Sequence, residues 1–155
     1  MVDVVDPLTR SRMMSGIRGK NTKPELRLRS DLHRRGFRFR VHHPGLPGRP
    51  DLVFPRHKAV IFVHGCFWHR HEGCHWCTTP SSNTDFWAAK FASNVDRDSR
   101  DRADLDREGW RIATAWECAL RPGQIDQATA SLAEWLLTNE PRFDTGLVRT
   151  RVEKK

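Results

Sequence analysis

Residues 48–63 read Gly-Arg-Pro-Asp-Leu-Val-Phe-Pro-Arg-His-Lys-Ala-Val-Ile-Phe-Val, and this stretch decides the fold of the chain. It contains two short apolar runs, Asp51–Phe54 and Ala59–Val63, separated by the turn-like residues 55–58. Short runs of β-branched and aromatic residues bounded by proline or charge are typical of buried strands. The sequence therefore predicts two strands joined by a turn. A carboxylate, Asp51, opens the first strand, and a segment rich in cysteine and histidine follows the second.

Patterns on either side of this stretch predict a single α/β domain. Thr22 is typical of a helix N-cap, with Pro24 in the first turn and Glu25 completing a capping box, so capping is sufficient to explain Glu25. The sequence predicts helices over residues 9–17, 22–36, 83–109 and 125–136, and further strands over 37–41 and 111–116. We expect one domain over residues 1–155, with its core at about 9–138.

Apolar spacing also predicts which side chains are buried. Phe37, Phe39 and Val41 alternate with polar residues, which predicts a strand with one buried face. The polar tail after Pro141 is predicted to be loose. In the long helix, the predicted apolar positions are Phe86, Trp87, Phe91, Val95 and Leu105.

The composition favours a polyanionic partner. The chain has 155 residues and a net charge of +8, and arginine outnumbers lysine. Such a balance suits phosphate and base contacts, although a well-solvated basic surface gives the same count. No apolar run is long enough for a membrane span, and no signal-peptide core is present, so we expect a cytoplasmic protein. In that compartment cysteines are typically thiolate ligands or free thiols.

The segment after the second strand predicts a zinc site. Cys66, His71 and Cys74 lie within nine residues, and Cys118 follows the strand predicted at 111–116. Zinc binds four cysteine or histidine ligands, and Cys118 would join the other three if the two strands are parallel neighbours. A competing set uses Cys74 and Cys77, a Cys-x-x-Cys pair, and unrelated core thiols are the third interpretation.

Asp51 is a candidate magnesium ligand. Carboxylate oxygens suit Mg²⁺, and phosphodiester hydrolysis requires an activated water and a neutralised phosphate. His64 and His69 follow the neighbouring strand and are candidates for acid, base or phosphate contact. A Pro-Asp pair is also typical of a turn, so the residues alone leave both interpretations open.

Three strings carry a resemblance to a known family: Leu46–Asp51 (LPGRPD), Val60–His69 (VIFVHGCFWH) and Trp116–Leu120 (WECAL). They resemble the very short patch repair (Vsr) DNA mismatch endonucleases, and the likeness extends from about Thr9 to about Leu136. The resemblance implies a restriction-endonuclease-like central mixed β-sheet flanked by helices, with a structural zinc site. It implies an enzyme that nicks DNA on the 5′ side of the T in T:G mismatches, which arise from deamination of 5-methylcytosine.

The resemblance also implies roles for individual residues. Asp51 and the backbone carbonyl of Val63 would hold catalytic Mg²⁺, with His64 and His69 at the scissile phosphate. Zn²⁺ would be held by Cys66, His71, Cys74 and Cys118. Intercalation between base pairs is implied for Phe67, Trp68 and Trp87, of which Phe67 and Trp68 are expected to be exposed, and DNA contact from the opposite groove is implied for Met14.

Two departures from a family member are visible. Val63 replaces a threonine, which keeps the carbonyl and removes a hydroxyl, and residues 73–77 differ in length and composition. The expected partner is double-stranded DNA with a T:G mismatch, bound by a nucleoid-associated bacterial monomer, with mismatch-repair proteins as further candidate partners. The alternatives are a zinc-stabilised DNA-binding module without catalysis and a thiol redox protein using Cys74 and Cys77.

Overall fold

A computed structural model describes residues 22–146 of the chain. The predicted helix at 9–17 and the predicted DNA contact Met14 lie outside these residues. Within them are three α-helices and five strands. In chain order these are α1 (Lys23–Arg34), β1 (Arg40–Val41), β2 (Leu52–Phe54), β3 (Ala59–His64), α2 (Thr84–Arg107), β4 (Arg111–Trp116), α3 (Ile125–Leu136) and β5 (Arg142–Asp144).

The five strands form one mixed sheet in the order β1-β2-β3-β4-β5. β1 and β2 are antiparallel neighbours, as are β2 and β3, whereas β3 with β4 and β4 with β5 are parallel. Pro55–His57 makes a short 3₁₀ turn between β2 and β3, and Lys58 closes it in a left-handed conformation. The predicted pair of strands joined by a turn is therefore confirmed. β3 and β4 are also parallel neighbours, which is the arrangement that the predicted zinc site requires.

Helices cover both faces of the sheet because β3 is apolar on both sides. Ala59 and Ile61 pack with Leu28 of α1 and Leu132 of α3. Their neighbours in β3, Val60 and Phe62, point the other way and pack with Leu105 of α2. Successive strand residues face opposite sides, so a run buried on both faces loses the alternation of a half-exposed strand.

No helix in the described residues is long and apolar enough to cross a membrane.

The N-cap prediction for α1 is confirmed, since the Thr22 hydroxyl accepts a hydrogen bond from the backbone N–H of Glu25 at 3.4 Å. The observed strand β1 is shorter than the strand predicted over residues 37–41. Only Arg40–Val41 pairs with β2, and Val41 is exposed rather than buried. The chain turns at His42, whose φ of +50° leaves the extended region and ends the strand.

Two further predictions need correction. The tail after Pro141 is not loose at its start, because Arg142–Asp144 forms β5 beside β4 and Phe143 packs on the core. In α2, Phe91 and Leu105 are buried as predicted, but Phe86 and Val95 are exposed. Only Phe91, Asn94 and Leu105 of this helix are buried, so its apolar stripe is narrow, and Phe86 and Val95 lie outside it.

Candidate active site and metal cluster

Parallel pairing places the ends of β3 and β4 side by side, with His64 opposite Trp116. Cys66 and Cys118 each lie two residues beyond this pair. The group whose ligand atoms all lie within 4.8 Å of one another consists of Cys66, His71, Cys74 and Cys118. Cys77 does not belong to this group, although its backbone N–H donates to the Cys74 carbonyl at 3.0 Å.

The environment of this Cys/His group suits metal ligation. Cys66, His71 and Cys118 are buried, and the Cys118 Sγ lies 3.6 Å from Nδ1 of His71. Burial lowers the pKa of His71, which favours the neutral imidazole that ligates metals. Its ring stacks on Trp116 at 4.1 Å between centroids, which fixes its orientation.

A cleft of about 530 Å³ opens beside the same end of the sheet. Because β2 runs antiparallel to β3, the start of β2 lies near the end of β3. Asp51 precedes β2, and its Oδ2 accepts a hydrogen bond from the Val63 N–H at 2.6 Å. Burial raises the pKa of Asp51 to about 7, and the nearby Glu25 carboxylate adds to the shift. Asp51 is thus a carboxylate poorly compensated by the protein alone.

Two histidines that the sequence singled out lie together in this cleft. The rings of His64 and His69 stack at 3.8 Å, and His69 shares a 2.6 Å hydrogen bond between its Nδ1 and Asp98 Oδ2. Burial, with a smaller contribution from His69, lowers the pKa of His64 to about 3, so its ring is neutral. Its Nδ1 is buried without a hydrogen-bond partner among the described residues.

Asp98 was not identified from the sequence. Burial acts to raise its pKa, but the hydrogen bond to His69 and the nearby charges of His69, His64 and Arg102 together exceed this effect, so the pKa lies below its ordinary value. A charged Asp98 therefore orients the His69 ring. The side chain lies on α2, 29 residues from His69 in the chain. An acidic residue on a helix rich in charged side chains gives no local signal of this contact.

Glu25 and His42 were also missed. Nε2 of His42 lies 3.0 Å from Glu25 Oε2, Arg29 pairs with the same carboxylate, and Glu25 is only 3% exposed. One ligand atom each from Glu25, His42 and Asp51 lie within 4.8 Å of one another. The capping box gave Glu25 a sufficient local explanation, and only the tertiary fold brings it beside Asp51.

The aromatic residues of the site form one cluster on the first turns of α2. Phe67 contacts Trp68, Trp87 and Phe91 at centroid distances of 5.0, 5.6 and 5.2 Å. We call these four residues the aromatic cluster. Phe67, Trp68 and Trp87 are half-buried, so the expectation that Phe67 and Trp68 are exposed is only partly met, and Phe91 is buried.

The rim of the cleft carries positive charge. Arg49, Arg97 and Arg102 line it, together with the backbone of Gly48 and Gly65. Guanidinium groups around an acidic floor suit a phosphodiester backbone approaching a cation. Glu117 also lines the cleft, and burial raises its pKa.

Fold and site together define an α/β protein with an acid–histidine cleft under a cationic rim, next to a Cys/His metal-type cluster. A family model described as DNA mismatch endonuclease Vsr matches residues 2–76. DNA mismatch endonuclease Vsr of Escherichia coli is 46% identical over 139 residues, covering 88% of this chain and 88% of the relative.

Two nicking enzymes are similarly related. The type II nicking enzyme V.XorIIP of Xanthomonas oryzae pv. oryzae is 49% identical over 120 residues, covering 77% of this chain and 88% of that protein. V.NmeAIP of Neisseria meningitidis is 40% identical over 121 residues, covering 78% and 86%. This chain therefore belongs to the Vsr family of DNA mismatch endonucleases, and it is a DNA endonuclease. This family membership argues against a DNA-binding module without catalysis and against a thiol redox protein.

Gly48 provides a test of how the cleft is built. Its φ is +76°, and an added Cβ would lie 2.9 Å from the Cβ of Asp101 on α2. Gly48→Ala should therefore push the 48–51 loop away from α2 and displace Asp51, lowering the nicking rate by about a hundredfold, as expected for a displacement of about 1 Å at a catalytic group. The rate on mismatched duplex and the melting temperature should both be measured.

Gly36→Ala is the matched control. Gly36 has a φ of +96° but nothing within 4 Å of an added Cβ. It should lose stability from backbone strain alone and keep its nicking rate below its melting temperature. If both variants lose activity in proportion to stability, the contact between Gly48 and Asp101 does not set the cleft geometry.

Proposed function

We propose that this endonuclease nicks double-stranded DNA on the 5′ side of the T in T:G mismatches left by deamination of 5-methylcytosine, and that it uses Mg²⁺. The observation that carries the proposal is the Asp51 carboxylate beside the stacked His64 and His69 rings, in a cleft rimmed by arginine. The family relationship supports the mismatched DNA substrate. The mixed sheet with helices on both faces supports a restriction-endonuclease-like fold, and we propose that the protein acts as a single-domain monomer.

The acidic floor of the cleft fits a hard divalent cation. Asp51 and the buried Glu25 offer carboxylate oxygens close to each other, and burial of Asp51 is unfavourable until a cation compensates its charge. Asp51 and the backbone carbonyl of Val63 would hold Mg²⁺, with Glu25 nearby. Replacement of a family threonine by Val63 leaves this carbonyl in place. When bound, the ion supplies neutralisation of phosphate charge and acidification of water.

The two histidines would transfer protons and donate or accept hydrogen bonds at the scissile phosphate. Asp98 occupies Nδ1 of His69, so proton transfer falls to Nε2 of that ring. His64 is neutral because of its burial, and its unpartnered Nδ1 is suited to a hydrogen bond with substrate or water. The two stacked rings therefore offer one oriented proton carrier and one neutral polar contact.

The Cys/His cluster fits a structural zinc ion. Burial raises the pKa of the Cys66 thiol, so a thiolate at this position requires a cation beside it. Three thiols and a neutral imidazole form a Cys₃His ligand set, which is typical of closed structural sites. Zinc at Cys66, His71, Cys74 and Cys118 would join the loop after β3 to the 3₁₀ turn Glu117–Leu120 after β4.

The aromatic cluster is suited to act as a wedge in the base stack. Phe67, Trp68 and Trp87 are contiguous and half-buried, so part of each ring remains available to bases. Unstacking costs a few kcal/mol per step and least at a mismatch, which gives insertion a preference for mismatched sites. Met14, outside the described residues, is proposed to contact the opposite groove.

Asp51→Ala tests the catalytic metal. Losing a metal ligand should lower the nicking rate by at least about a hundredfold, because a bound cation contributes several kcal/mol to stabilising the transition state. DNA binding should remain, since phosphate contacts come mainly from arginine and lysine. Supercoiled-plasmid nicking and a binding titration measure the two effects. The control is Asp126→Ala, which removes an exposed acid on α3; near-normal nicking by Asp51→Ala would sink the metal assignment.

One zinc ion per chain is expected, measured by elemental analysis of purified protein. Cys118→Ser should lose the zinc and unfold at lower temperature, because binding of a structural metal contributes folding free energy. Cys77→Ser is the matched variant and should keep both zinc and stability. Should Cys77→Ser lose zinc while Cys74→Ser retains it, Cys77 rather than Cys74 is the ligand.

Trp68→Ala tests the wedge separately from the chemistry. Base–aromatic stacking is worth roughly 1–3 kcal/mol, so affinity for a T:G duplex should fall about 5- to 150-fold. Affinity for the paired duplex should barely change, because phosphate contacts are common to both. Trp110→Ala is the control, since Trp110 lies at the other end of the sheet over Lys58. Equal weakening on both duplexes would mean that Trp68 serves protein packing.

A further inference from the structure

Arg70 connects the aromatic cluster to both ends of the loop between β3 and α2. Its guanidinium donates to the backbone carbonyls of Phe67 at 3.3 Å and Thr78 at 2.8 Å, and to the Thr79 hydroxyl at 2.8 Å. The same group lies 3.9 Å from the centre of the Phe91 ring. One side chain thus contacts the loop between β3 and α2 near its start and near its end, and also contacts α2 itself.

The backbone around Arg70 is built to aim the side chain there. Arg70 has a φ of +54°, a left-handed conformation that residues other than glycine rarely adopt. Before and after this turn, the His69 N–H donates to the Gly65 carbonyl and the His71 N–H to the Cys66 carbonyl, both at 3.0 Å. These bonds close the 65–71 loop on itself, so Arg70 leaves the loop in a fixed direction.

We propose that Arg70 is a positioning residue for mismatch recognition, which holds Phe67 and Trp68 in the orientation required for insertion into the base stack. The proposal rests on the wedge function proposed above. The carbonyl of Phe67 accepts a hydrogen bond from the Arg70 guanidinium, and the Phe67 ring contacts the ring of Phe91. Trp68 is the next residue in the chain, so its position depends on that of Phe67. A wedge already held in place loses less conformational entropy on insertion than one that must be ordered by the DNA.

The chemistry of the contacts distinguishes arginine from lysine. A planar fork donates to two carbonyls and a hydroxyl while its face lies on an aromatic ring, whereas an ammonium is a single point of charge. Arg70→Lys therefore keeps the charge that DNA phosphates attract and removes the geometry. If Arg70 served only as a phosphate contact, lysine would substitute for it.

The test compares Arg70→Lys and Arg70→Ala with wild type on T:G and fully paired duplexes at one salt concentration. Both variants should lose about tenfold in preference for the T:G duplex, with paired-duplex affinity within about twofold of wild type. A 2-aminopurine beside the mismatch should show reduced unstacking. Zinc content should be unchanged. Arg56→Ala, which removes an exposed arginine in the turn before β3, should alter neither duplex.

Three results would overturn the proposal: a wild-type preference in Arg70→Lys, equal weakening on both duplexes, or loss of zinc. A double-mutant cycle adds a fourth, because Arg70→Lys in a Phe67→Ala, Trp68→Ala background should cause no further loss of preference. The Trp68→Ala variant tests the wedge function independently of Arg70. If Trp68→Ala leaves the preference unchanged, the proposed function fails; if it lowers the preference while Arg70→Lys does not, only the role of Arg70 fails.

Discussion

The parallel pairing of β3 with β4 is the constraint on which the site depends. Parallel strands end at the same edge of a sheet, so His64 and Trp116 end side by side. The Cys/His cluster and the cleft are both built at that edge of the sheet. Cys66 and Cys118 continue from the two strand ends, His64 ends β3 and His69 lies on the loop after it, and antiparallel β2 begins close enough for Asp51 to accept the Val63 N–H.

Charge in the cleft is arranged by burial as much as by pairing. Asp51 has a raised pKa because desolvation outweighs the hydrogen bond it accepts, whereas Asp98 has a lowered pKa because its hydrogen bond to His69 and the surrounding positive groups together outweigh desolvation. Two aspartates in one cleft thus differ in proton affinity without any difference in chemistry. The first is suited to a cation, and the second is suited to orienting a histidine.

The sequence predicted the parts of the fold that have a strong local signal. β2 and β3 are short apolar runs, α1 has an N-cap, and the sequence predicted all three at the right place. Strand β5 was missed because its apolar signal is one residue, Phe143, between two polar ones. Val41 was predicted to be buried by alternation, but the turn at His42 ends β1 before alternation can bury it.

For the site, the sequence identified Asp51, His64, His69 and the Cys/His segment because their residue types are unusual where they occur. It missed the partners that arrive from distant elements. Glu25 had a local explanation as a cap, and Asp98 lies among the many charges of α2. Neither contact is encoded in a motif, because each depends on how a helix packs against the strand ends.

The wide separation in sequence between His71 and Cys118, 47 residues apart, has a consequence for the order of folding. The intervening chain contains all of α2, so the cluster closes only after a full helix and strand β4 have been synthesised and docked. Contacts between residues so distant in sequence form more slowly than the local contacts of a helix. A nascent chain that ends before β4 has the Asp51 hairpin and the aromatic residues, but it lacks the strand that would align them. The Cys/His cluster therefore closes late in synthesis, after most of the positively charged side chains have already emerged.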